Sequence, residues 1–189
     1  MKRFHQVILI ASTFVASWLG MQMVHECGHV LGAWATDGVV KQVVLHPLTI
    51  SRTDVEPNPK PLSVVWAGPI FGVLFPLALW GVVTSLHVPG SFVFRFFAGF
   101  CLIANGAYIA FGSLGRIGDC QEMLRHGSPV WQLWLFGAIA IPLGFCLWHR
   151  QGTAFGLGCA NGKVDHRVAY ATVFIAILLI AIGLSVGGQ

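Results

Sequence analysis

Residues 6–35 read QVILIASTFVASWLGMQMVHECGHVLGAWA. An α-helix needs about 20 consecutive apolar residues to cross a hydrocarbon core, and this run exceeds that length with Glu26 as its one Asp, Glu, Lys or Arg. The stretch predicts a membrane-spanning helix, long enough to tilt or to project beyond the bilayer, that stops at Asp37-Gly38. Met1-Lys2-Arg3 ahead of it imitates the basic start of a secretory signal, but the apolar run continues far past the roughly 7–15 residues of a signal core, so an uncleaved span is expected.

The same texture continues outward. Of 189 residues 56% are hydrophobic and 10% charged, and mean hydropathy is +0.75. A soluble domain carries about a quarter of its residues as Asp, Glu, Lys and Arg, so a water-soluble fold is excluded and a lipid bilayer is the expected surrounding. Four further spans are predicted at 62–86, 92–114, 130–148 and 167–186. Residues 39–55 differ: Val39, Val40, Val43, Val44, Thr49, Ile50 and Thr53 alternate with polar residues around a break at His46-Pro47, which reads as two short strands. Pro57, Pro59 and Pro61 then form a stiff lead into the second span. The fold class is therefore an all-α polytopic membrane protein, multi-pass and integral, with about five transmembrane helices and a short β hairpin after the first, built as a single membrane domain over residues 1–189.

Lys and Arg divide six to five between the two ends of the expected bundle, so loop charge sets no orientation. They form no basic run, and nucleic acid is not an expected partner. Five cysteines, an odd number without CxxC spacing, suggest small apolar packers rather than disulfides or a cysteine zinc knuckle.

Inside the first span stands His25-Glu26-Cys27-Gly28-His29, an HExxH motif. Histidines at i and i+4 project from one helix face a turn apart, so both imidazoles reach one tetrahedral zinc ion. Glu26 lies on the flank of that face, where it can take a proton from the attacking water instead of binding the metal. With 8 His and three Glu (Glu26, Glu56, Glu122), chance supplies the motif in about one of two hundred shuffled chains. Its place adds weight. Ionisable groups within a membrane helix are expensive and call for a compensating partner, and a divalent cation is one; polar residues bonded between helices are the plainer alternative.

At these residues the chain resembles the site-2 protease family of intramembrane zinc metallopeptidases. The matching pattern is HExGHxxxA, here His25 to Ala33, followed by Ala67-Gly68-Pro69 at the head of the next core helix and Gly118-Asp119-Cys120 late in the third. The resemblance covers about residues 15–125 and implies a three-helix catalytic core, placed at 6–125, with two accessory helices at 130–187. It implies Zn2+ held by His25, His29 and Asp119, water activated by Glu26, and a transmembrane protein or peptide as substrate. Where the family commonly has Asn three residues after the Pro of its second motif, this chain has Gly72, and Asn105 in the third span is the stand-in for substrate binding.

Topology supports the third ligand. Spans one and three are separated by one returning helix, so they run parallel, and HECGH and Asp119 both lie toward C-terminal ends on one membrane side. His46 and His126 fall near that side too and could be ligands, but a lone loop histidine is more often solvated or a hydrogen-bond donor. The expected function is a zinc-dependent intramembrane endopeptidase hydrolysing peptide bonds of membrane-embedded substrates. The alternatives are a non-proteolytic membrane scaffold or a metal transporter retaining a zinc site.

Overall fold

A computed structural model describes residues 2–45 and 51–187. His46, the Pro47 break, Thr49 and Ile50 lie outside them. Helix α1 runs Lys2–Trp34, strands β1 and β2 are Val40–Val44 and Arg52–Val55, and α2 to α6 are Pro61–Ser85, Ser91–Gly115, Asp119–Arg125, Val130–Trp148 and His166–Gly187. All but the short α4 are long and apolar enough to cross a membrane. The fold is thus the expected five-span polytopic bundle with a hairpin after the first span.

The boundaries follow local chemistry. Pro61 opens α2 where its missing N–H costs nothing, and Pro129 precedes α5 in an extended conformation. β1 and β2 pair antiparallel, Val43 opposite Thr53 and Val44 opposite Arg52, with an irregularity between Val40 and Gln42.

Apolar side chains such as Leu114, Phe111, Phe174 and Ile177 cover the outer faces, which suits lipid as the solvent. The interior seams are built from small residues instead. At the α3–α5 seam a Cβ on Gly144 would lie 2.7 Å from the Gly99 carbonyl oxygen, and one on Gly106 would lie 3.0 Å from the Ala140 Cβ, so these helices approach as only glycine permits. α1 packs against α2, α3 and α6, and α2 against α3, leaving α1, α2 and α3 as the central layer. Two tryptophans find partners within the bundle: Trp148 stacks on Phe96 with centroids 4.9 Å apart and donates to the Phe96 carbonyl, and Trp66 donates to Ser128.

The third span ends within a residue of its expected bound at 114, but the placement of Asp119 late in that helix does not hold. Asp119 is not late in α3 but opens a separate helix, α4. The chain leaves α3 through Arg116 in the left-handed region (φ 50°) and turns again at Gly118 (φ 52°, ψ −131°), a conformation that favours glycine. A Cβ at Gly118 would also run into the Tyr108 hydroxyl.

Candidate metal centre

The i, i+4 spacing in α1 does what helix geometry requires of it. The rings of His25 and His29 meet edge to face with centroids 4.8 Å apart, and their Nε2 atoms approach to 3.1 Å. Each ring is fixed from behind. Nδ1–H of His25 donates to Asn105 Oδ1 at 2.7 Å, and Nδ1–H of His29 donates to the Val64 carbonyl at 2.9 Å. Because both partners are oxygens that only accept, the proton of each neutral ring sits on Nδ1 and the lone pair of each Nε2 faces inward.

Asp119 closes the group from α4. Its Oδ2 lies 2.8 Å from His25 Nε2 and 3.4 Å from His29 Nε2. Three electron-pair donors, all within 4.8 Å of one another, converge on one point. Such a set repels itself unless a proton or a metal ion sits among the donors. Two imidazoles with their outer nitrogens hydrogen-bonded, plus one carboxylate, make a donor set that fits a divalent cation with a coordination position left open. When a proton rather than a metal ion sits at the Nε2 atoms, burial acts to raise the pKa of Asp119, but the hydrogen bonds from His25 and His29 and the imidazolium charge outweigh it and hold the carboxyl well below the usual range. It is therefore ready to bind as an anion.

The second helix makes room for this. A Cβ at Gly68 would overlap the His29 ring, and one at Gly28 would overlap the Ala67 carbonyl oxygen, so α1 and α2 cross at the centre backbone to backbone. That gives Ala67-Gly68-Pro69 a steric meaning. A Cβ at Gly72 would stand 2.8 Å from Asn105 Oδ1: the space above Gly72 is filled by the amide from α3.

Asn105 itself is 1% exposed, and its Nδ2 donates to the Cys101 carbonyl while Oδ1 accepts from His25. With both ends of the amide engaged it fixes the His25 ring, and it is not among the residues that line the cavity beside His29 and Asp119. Asn105→Ala is expected to weaken divalent-metal binding about 10- to 100-fold, read by competition against a chromophoric chelator; unchanged affinity would detach Asn105 from the centre.

Glu26, 3% exposed, is not among the converging ligands. Its Oε1 accepts from Ser51 Oγ at 2.7 Å and its Oε2 from Thr53 Oγ1 at 2.6 Å, both at the β2 strand. Sequence reading gave these two residues no role beyond the strand. Their i, i+2 spacing, which places two hydroxyls on one strand face, was the available signal.

Cys120, next to Asp119, faces the other way. Its thiol donates weakly to the carbonyls of Tyr108 and Ile109, and burial, helped by the Asp119 charge, pushes it up to about 12, so it packs as a neutral thiol. Tyr108 also accepts the Asp119 backbone N–H at 3.0 Å and so fixes the start of α4. His126 pairs with Glu122 at 3.3 Å and stands outside the three-ligand group. A cavity of about 540 Å³ leads to the centre, with His29 and Asp119 on one wall and Thr53, Glu56, Glu122 and His126 on others. No protein-family model, curated protein or solved structure matches the chain.

Proposed function

We propose that the protein is a zinc-dependent intramembrane endopeptidase of the site-2 protease type, acting on transmembrane segments. The observation that carries this reading is the convergence of His25 Nε2, His29 Nε2 and Asp119 Oδ2 beside a carboxylate, Glu26, that is held out of the ligand set. Zinc bound there supplies a Lewis acid that polarises the scissile carbonyl and acidifies the attacking water. Glu26 takes the water proton and returns it to the leaving amine as the C–N bond breaks, which balances the hydrolysis. Asn105 and the Val64 carbonyl hold the two imidazoles in the productive tautomer.

A substrate helix shields its own peptide bonds and must unwind first. The stretch from Val39 to Leu45, containing β1 of the two-stranded sheet, is suited to receive the extended segment by strand addition. The polar cavity between the hairpin and α4 brings water to a centre otherwise enclosed by apolar helices.

The purified protein is expected to carry about one zinc per chain when prepared without chelators, because two histidines and one carboxylate complete a catalytic-type site. Metal analysis checks this, and a metal-free chain would remove the basis of the proposal. Activity is tested with a pool of randomised apolar single-span peptides flanked by lysines, new termini being read by mass spectrometry. Zinc-dependent cleavage supports the proposal. Zinc flux into vesicles without cleavage would favour the transporter.

A further inference from the structure

The hydrogen bonds to Glu26 carry a second conclusion, which rests on the endopeptidase reading. A carboxylate on a membrane helix, one residue from a metal ligand, has two ways to lower its energy: it can swing onto the cation, or it can find donors of its own. In this protein both of its oxygens are already taken, one by each of two hydroxyls. The donors are not on α1. They come from the start of the hairpin's second strand, and that strand is held in turn: Thr53 is in register with Val43 of β1, and the Ser51 backbone N–H donates to Gln22 Oε1, one helical turn before Glu26, at 3.2 Å.

We propose that Ser51 and Thr53 are positioning residues that clamp Glu26 as a proton acceptor and keep it from becoming a metal ligand. The hairpin thereby helps to preserve the open coordination position, in addition to any part it plays in docking substrate. Two donors on two oxygens fix the plane of the carboxylate as well as its location. A single donor would leave it free to rotate about the remaining bond. The clamp also explains why a polar strand lies against a buried face of α1 at all: Ser51 and Thr53 satisfy the one acidic side chain that this span carries.

The test needs one readout independent of cleavage. Glutamate occurs only at positions 26, 56 and 122, so uniform 13C-glutamate labelling gives few carboxylate bands, and the Glu26→Gln difference spectrum assigns the one of interest. Thr53→Val keeps the shape and strand preference of threonine and removes the hydroxyl; Ser51→Ala removes the other. In isotope-edited infrared spectra the Glu26 band is expected to move in each variant. With the randomised peptide pool, the double variant is expected to lose about 100-fold in kcat, the penalty of a displaced catalytic group, with KM changed much less and zinc still bound. Thr53→Ser, which restores the hydroxyl, is expected to recover most of the loss seen in Thr53→Val.

An unmoved Glu26 band in the double variant overturns the clamp whatever the activity, as does a moved band with kcat unchanged. Equal losses in Thr53→Ser and Thr53→Val would show that strand shape matters and the hydroxyl does not, which also overturns it. If the wild type binds zinc and the band moves on substitution, yet no peptide is cleaved by any form, it is the endopeptidase reading that fails.

Discussion

Glu26→Gln is expected to keep its zinc and to lose cleavage by about 10²- to 10⁴-fold, the range that a general base contributes. The metal should stay because Glu26 is absent from the converging ligand set. The fold should stay as well: the hydroxyls of Ser51 and Thr53 can donate or accept, so they can pair with either end of a glutamine amide. What the amide cannot do is take a proton from water at neutral pH. Zinc analysis beside a cleavage assay on the same preparation separates the two effects. Joint loss of metal and activity would make Glu26 a ligand or a structural residue, and the division of roles would have to be redrawn.

Asp119→Ala is expected to have an equally large effect by the other route, removing metal and activity together. Loss of a hydrogen-bonding partner behind a ligand typically weakens metal binding about 10- to 100-fold, and loss of the ligand itself should exceed that. The neighbours provide the control. Cys120 turns its thiol toward α3 carbonyls, and Glu122 pairs with Arg125 and His126. Cys120→Ser and Glu122→Gln are therefore expected to leave zinc affinity and cleavage largely intact. The backbone contact that starts α4, the Asp119 N–H on Tyr108, survives in Asp119→Ala, so a loss there reports on the carboxylate rather than on the helix. Wild-type zinc affinity in Asp119→Ala, with loss in either neighbour's variant, would overturn the assignment of the third ligand.

The five spans were readable because membrane insertion depends on a long sum of apolar residues, which tolerates local irregularity. The histidine pair was readable for a similar reason: i and i+4 meet on any helix, whatever surrounds it. Features that depend on a partner from elsewhere in the chain were not. Asn105 carries no sign in its own neighbourhood that it will lie beside Gly72 and bond to His25, because that arrangement exists only once α1, α2 and α3 are packed. Trp66 and Trp148 look like any interfacial indole until Ser128 and Phe96 supply their partners. The end of α3 was read to within a residue, but the separate start of α4 at Asp119 was not, because it depends on a left-handed turn at the non-glycine residue Arg116. Ser51 and Thr53 were hidden because a strand gives no indication of what its polar face will meet.

The break between α3 and α4 also bears on biosynthesis. His25 leaves the ribosome 94 residues ahead of Asp119, and at about 5–20 residues per second the carboxylate follows some 5–20 s later. During that interval the nascent chain has two imidazoles and no closing ligand, and the turn that delivers the third cannot form until Tyr108 and Gly118 have been made. On the endopeptidase proposal, a centre that is completed only after three spans have been synthesised is kept inert while the chain threads through the insertion machinery among other unfolded membrane segments.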